Sequence, residues 1–214
     1  MSSSITSARP AGEYGYSDSQ PGWASHYLHP VIRPLVCDLP AGSVVADLGC
    51  GNGSFLARYR DRRWVLYGLE TSVSGLNAAR SAYPEIIFEQ ADLVQDLSSH
   101  PLAGRCDLVL STEVIEHVFL PRQFVRNCQM FLRHGGRLIL STPYHGYAKN
   151  LALALTGKMD DHFTALWDFG HIKFWSRQTL TQLLEEAGLE VVSFHGTGRI
   201  PYLWKSMVIV ARKR

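Results

Sequence analysis

Cysteine is scarce in this chain, and no two of the four, Cys37, Cys50, Cys106 and Cys128, stand in a C-x-x-C arrangement. They read as reduced thiols of a cytosolic protein. Charge of one sign is also scarce. The formal net charge is +2, and the sole basic block is Arg212-Lys213-Arg214, so strong nucleic-acid binding is not expected. No apolar run approaches membrane-spanning length, no hydrophobic leader opens the chain, and no repeat is visible. What is present is 214 residues, 46% of them hydrophobic, enough for one domain with a sizeable core. Residues 1–22, whose first dozen are rich in Ser, Ala, Gly and Pro, are expected to be disordered, and the domain to occupy 23–214.

Strand and helix signals alternate, which argues for βαβ units and a mainly parallel α/β sheet with helices on both faces. Strands are expected at Ser43–Leu48, Trp64–Leu69, Ile86–Glu89, Cys106–Ser111, Arg137–Ser141, Glu190–Phe194 and Leu203–Ala211. Helices are expected after the caps Thr71-Ser72 as far as Tyr83, from Pro121 to Leu132, and from Ser176 to Ala187. Residues 143–170 interrupt the alternation with a long insertion rich in aromatic, histidine and aspartate residues.

The most informative stretch is Val44-Val45-Ala46-Asp47-Leu48-Gly49-Cys50-Gly51-Asn52-Gly53. A β-branched run ends in an acid, a glycine-dense turn follows, and Ser54–Tyr59 resembles the start of a helix. Such a loop lies at the carboxyl edge of a sheet, where α/β folds bind ligands. A dinucleotide fingerprint needs G-x-G-x-x-G, but position 54 is serine. An acid before the first glycine would repel a pyrophosphate and suits a cation or an amine. Glu70 follows Gly53 by 17 residues and could accept two ribose hydroxyls, or merely cap the next helix.

The D-L-G-C-G-N-G run resembles motif I of the class I S-adenosylmethionine (SAM) methyltransferases. That resemblance covers roughly residues 23–212 and implies a Rossmann-like seven-stranded sheet whose last strand is antiparallel. It further implies that Asp47, Gly49, Cys50, Gly51 and Gly53 wrap the methionine end of SAM. Glu70 would take the ribose, Asp92 the adenine amino group, and Leu93 would stack near the ring; Asp92 as a plain loop aspartate is the other reading.

After the fourth strand comes Glu113-Val114-Ile115-Glu116-His117. If this is a helical turn, Glu113, Glu116 and His117 share one face and could hold a divalent metal such as Mg²⁺ or Mn²⁺. The run is similar to the E-V-x-E-H run of the ubiquinone-biosynthesis O-methyltransferases, and to the metal site of the small-RNA 2′-O-methyltransferases. In both, a later histidine precedes an aromatic-rich segment, here His171-Ile172-Lys173-Phe174-Trp175. The catalytic candidates are therefore Glu113, His117 and His171. The metal candidates are Glu113, Glu116, His117 and His171. A metal-free base at His117 or His171, or a purely structural role, stays open.

The insertion carries Tyr144-His145-Gly146-Tyr147, an apolar helix-prone stretch over 150–156, Asp160-Asp161-His162 and several aromatics. It reads as a lid over an apolar or aromatic small-molecule acceptor, as a peripheral membrane contact, or as a helix packed on the core. The function expected is methyl transfer to a hydroxyl of an aromatic or lipid-like acceptor. The alternatives are RNA 2′-O-methylation, metal-free N-methylation, and SAM binding without catalysis. Nothing in the chain specifies an oligomeric state.

Overall fold

The computed structural model describes residues 14–163 and 165–214; the disorder expected for residues 1–13 lies outside the described residues. The elements in chain order are α1 (Ser25–Leu35), β1 (Val44–Leu48), β2 (Val65–Glu70), α2 (Val73–Ala82), β3 (Ile87–Gln90), β4 (Cys106–Thr112), α3 (Pro121–Phe131), β5 (Leu132–Pro143), α4 (Tyr147–Leu155), α5 (Met159–Phe163), α6 (Arg177–Glu186), β6 (Leu189–Thr197) and β7 (Ser206–Lys213). Two short 3₁₀ segments, Leu56–Arg62 and Ile115–His117, complete them.

The seven strands form one sheet in the order β3-β2-β1-β4-β5-β7-β6. β7 runs antiparallel to both β5 and β6, while the other pairings are parallel. The expected architecture is thus the observed one. Strand order reverses between β1 and β4, and the crevice at their carboxyl ends is where such sheets take ligands.

Alternation along the strands builds two cores. Val45, Leu66, Leu108, Leu110 and Ile139 face α1, α2 and the first 3₁₀ segment. Ala46, Leu48, Val109, Leu138 and Leu140 face α3 and α6. Burying each large side chain contributes roughly 1.5–3 kcal/mol.

Three local outcomes differ from the expectations. Helix α1 was not expected, because Pro30 and Pro34 lie inside it. It persists because Leu28 and Ile32 are fully buried at i, i+4 spacing, so tertiary packing outweighs the lost backbone bonds. The segment after the glycine loop is a 3₁₀ helix starting at Leu56, not an α-helix from Ser54. Its three-residue period stacks the buried Leu56 and Tyr59 on one face, and Arg63 ends it in the left-handed region. β7 begins at Ser206 rather than Leu203, after a turn at 200–203. No helix among the described residues is long and apolar enough to cross a membrane.

Candidate functional site

The glycine loop is sewn to β2. Gly49 and Cys50 both donate backbone N–H bonds to the Leu69 carbonyl, at 2.8 and 3.2 Å. Gly51 donates to a Glu70 carboxylate oxygen at 2.8 Å, and the other Glu70 oxygen accepts from Thr71 and Ser72. Gly49 has φ +82°, and a Cβ there would lie 2.5 Å from a methyl of Val114. Gly51 has φ +56°, and a Cβ there would lie 2.5 Å from the Tyr16 phenol oxygen. Only glycine tolerates both the conformation and the approach.

Asp47 is the penultimate residue of β1, beneath this loop, with 1% of its surface exposed. Its Oδ1 has no hydrogen-bond partner. Burial, and then the charge of Glu70, push its carboxyl up to about 7. A carboxyl so placed lacks a donor, and a cationic amine would satisfy it. Cys50 is buried under the loop, where burial pushes its thiol up, and Gly53 closes the turn by donating to the Cys50 carbonyl. Asp92 accepts from the Val94 N–H at 3.0 Å and from the Gln95 amide at 3.3 Å, the geometry of an Asx turn. Leu93 beside it is buried in the core, and its carbonyl accepts from Asn127 at 2.9 Å.

Residues 14–22, expected to be disordered, are placed across the loop. The Tyr16 N–H donates to the Ser74 hydroxyl, and the Asn52 amide donates to the carbonyls of Asp18 and Gln20 at 2.9 Å each. The Tyr14 ring lies 6.2 Å from His117 and 6.3 Å from Trp167. The segment therefore spans from the glycine loop to the second cluster of candidate residues.

That cluster departs from the expected helical face. Glu113 has φ +54° and stands outside the 3₁₀ turn Ile115–His117. The left-handed backbone swings its carboxyl toward β5 and β7, where its two oxygens accept from the hydroxyls of Ser141 (2.8 Å) and Ser206 (3.0 Å). Burial raises its carboxyl to about 7. The structure instead brings Glu116, His117 and His171 together, with one ligand-type atom from each within 4.8 Å of the others. Backbone pairing explains the convergence: the Glu116 carbonyl accepts from both Ile172 (2.9 Å) and Lys173 (3.0 Å).

Glu116 is buried, and one oxygen accepts from the Thr142 hydroxyl at 2.9 Å while Oε1 has no partner. Burial and the charge of Glu113 raise its carboxyl well above the usual range. His117 Nδ1 lies 2.8 Å from the Phe169 carbonyl oxygen and 3.1 Å from that of Gly170. Since a carbonyl can only accept, Nδ1 carries the proton and Nε2 keeps its lone pair. Burial lowers both histidines, His171 to about 4, so both are neutral at pH 7. A Glu116 carboxyl that gives up its proton to the ion, with two neutral imidazole nitrogens, would be a donor set for a divalent metal ion.

Across the sheet edge, α4 leaves Tyr147, Leu151 and Leu155 exposed and buries only Lys149. It is not the core-packed helix that one reading allowed. Asp160 and Asp161 point to solvent, whereas His162 packs on His145 and Phe163. Sequence reasoning missed Tyr14, Tyr16, Ser141, Thr142, Lys149 and Ser206. A Tyr-x-Tyr pair within a Gly/Ser-rich segment was the one available signal.

A sequence model of the methyltransferase domain matches residues 23–194. A Ruegeria protein named ubiquinone biosynthesis O-methyltransferase is 34% identical over 187 residues, which cover 81% of this chain and 71% of that one. A Mycolicibacterium smegmatis protein named "Probable S-adenosylmethionine-dependent methyltransferase" is 30% identical over 175 residues, 79% of this chain, and the match spans 62% of that relative's length. Among solved structures, a SAM-dependent methyltransferase from Methanosarcina mazei superposes with TM-score 0.65 at 16% identity, covering 86% of this chain and 97% of that one. A [4+2]-cyclase superposes with TM-score 0.69 at 16% identity, covering 94% and 86%. Likeness at this identity shows the fold alone.

Proposed function

This chain belongs to the SAM-dependent methyltransferase family, and from that premise we propose that it methylates a hydroxyl of a small aromatic or lipid-like acceptor with a divalent metal ion at Glu116, His117 and His171. The observation that carries this reading is the convergence of those three side chains at the sheet edge, with a buried Glu116 oxygen left without a partner. Two further features support it: a relative is named an O-methyltransferase, and the exposed hydrophobic residues on α4 of this chain offer an apolar surface.

The residues present fit both groups. For SAM, the unpartnered oxygen of Asp47 suits the methionine ammonium, and Gly49, Gly51 and Gly53 hold the left-handed backbone of the loop that Tyr16 covers. Glu70 and the Asp92-Leu93 turn flank it for the ribose and adenine. SAM supplies an electrophilic methyl on a sulfonium. For the metal, Glu116 would supply charge on losing its proton and the histidines would supply two lone pairs; the ion would lower the pKa of an acceptor hydroxyl.

The chain's own residues then act by placement. Val114 packs on Gly49, which ties the cofactor loop to the turn bearing Glu116 and His117. The carbonyls of Phe169 and Gly170 fix the His117 ring and its tautomer. Thr142 orients Glu116, and Ser141 with Ser206 holds Glu113 apart as a positioning residue. Proximity and alignment supply much of the rate in such a site. His171, lowered to about 4, is a weak base at neutral pH, which disfavours it as a metal-free general base.

The test is release of S-adenosylhomocysteine from SAM with a panel of phenols and vicinal diols. Turnover that stops with EDTA and returns with Mn²⁺ or Mg²⁺ supports the reading. Turnover indifferent to chelation removes the metal from it, and turnover on amines alone removes the hydroxyl acceptor.

A further inference from the structure

Beside Glu116, His117 and His171 lies a cluster of opposite sign. Lys149 stands in the first turn of α4 and is 4% exposed. Its ammonium makes one long hydrogen bond, 3.3 Å to the Lys205 carbonyl. Among the described residues no carboxylate pairs with it within 4.0 Å. The acid that acts on it, Glu113, has both oxygens engaged by serine hydroxyls. A buried ammonium without a counter-charge is unfavourable, and the structure retains it only where something compensates.

The neighbours share the same deficit. His145 is 7% exposed, and its ring lies 5.2 Å from that of His162. His145 Nδ1 and His162 Nε2 are both buried without a well-formed hydrogen bond, and the Asn150 side chain beside His145 leaves its own Oδ1 equally unpartnered. Arg199 is exposed in the β6–β7 connection, the segment whose Lys205 carbonyl accepts from Lys149, and brings a further positive charge to this side of the cluster. The cap of α4 is Gly146, which offers no side-chain acceptor to the first-turn amides. Phe163 stacks on His145 at 5.8 Å, and Phe174 packs on both. The cluster therefore combines cations, buried ring nitrogens able to donate, and an aromatic wall. The charges of Lys149 and Arg199 make this cluster a poorer place for a cation than for an anion. A group rich in lone pairs and negative charge answers the buried ammonium and the two ring nitrogens.

We propose that Lys149, His145, His162 and Arg199 form a subsite for an anionic oxygen group, a carboxylate or a phosphate ester, carried by the methyl acceptor. Phe163 and Phe174 lie against the acceptor's apolar part. This deepens, and rests on, the proposal that the acceptor occupies this sheet edge.

The test is calorimetric titration of the full chain, loaded with S-adenosylhomocysteine, with benzoate, phenyl phosphate and neutral benzamide. At least one anion is expected to bind tenfold or more tightly than benzamide. Lys149→Gln is expected to bring the two within threefold. Arg199→Gln, at an exposed turn position that bears no core contact, is expected to weaken the anion several-fold, so the test survives if the Lys149 variant does not fold. Benzamide binding as tightly as benzoate and phenyl phosphate, or an anion preference that outlasts both substitutions, would overturn the proposal. So would inorganic phosphate binding as tightly as phenyl phosphate with no response to benzoate, since free phosphate would then be the occupant. None of these readings needs turnover. A failure to methylate any hydroxyl would count against the function proposed above and leave the binding result standing.

Discussion

Replacing Asp47 with asparagine separates the stability of this protein from its affinity for cofactor. Asp47 is fully buried, and its carboxyl is raised from 3.8 to about 7, chiefly by burial. A raised folded-state pKa makes the protonated form the stable one. The associated stability is complete below the unfolded value near 4 and is lost as pH rises through about 7. At about 1.4 kcal/mol per pH unit, holding Asp47 ionised above pH 7 costs about 4 kcal/mol. Asparagine removes that cost but leaves a buried amide unpartnered, which takes back roughly 1–2 kcal/mol. The variant without cofactor is therefore expected to be about 2 kcal/mol more stable at pH 8, and no more stable than wild type at pH 4. For a chain of this size, that is a rise in Tm of roughly 4–8 °C. Losing a charge-assisted bond to the cofactor's ammonium should weaken binding by about 1.5–3 kcal/mol, or roughly 10- to 150-fold. Urea denaturation at pH 4 and 8, with calorimetric titration of S-adenosylhomocysteine at pH 8, measures both. A variant that is less stable at pH 8, or that binds as wild type does, would refute the reasoning.

Other consequences follow from single contacts. Gly49→Ala places a methyl 2.5 Å from Val114 at φ +82°. The left-handed backbone alone costs about 1–2 kcal/mol, and S-adenosylhomocysteine affinity should fall at least tenfold. Adding Val114→Ala should restore part of it. Asn127→Ala strips hydrogen bonds from the buried carbonyl of Leu93 and from that of Gln95. A loss of about 2–4 kcal/mol is expected in denaturant melts, with weaker cofactor binding because the Asp92-Leu93 turn loosens. Wild-type cofactor affinity is itself expected to decline as pH falls below about 7, as Asp47 takes up a proton. A flat profile between pH 6 and 8 would contradict that.

Much of this architecture is legible in the residues. The β-branched runs around Val45 and Val109 and the glycine spacing at 49–53 place the sheet, the loop and its acid. They succeed because burial on both faces leaves few alternatives to a strand. Helix α1 hides behind Pro30 and Pro34, since its stability comes from Leu28 and Ile32 meeting the sheet and not from propensity. The helical face proposed for Glu113, Glu116 and His117 fails at one dihedral angle, the positive φ of Glu113, which spacing alone does not encode. His171 was found through resemblance; the pairing of Ile172 and Lys173 with the Glu116 carbonyl is what brings it into place. Lys149 looks on paper like a solvent-facing residue of an apolar helix, yet it is the one buried residue of α4. The packing of α4 against the β6–β7 connection decides that, and it joins segments more than 50 residues apart.

The most direct measurement is a calorimetric titration of Mn²⁺ into EDTA-stripped protein holding S-adenosylhomocysteine, for wild type and for Glu116→Gln. One saturable binding heat is expected in wild type, and it should disappear in the folded variant. No heat in wild type, or the same heat in Glu116→Gln, would contradict the assignment of Glu116, His117 and His171 as the metal-binding group.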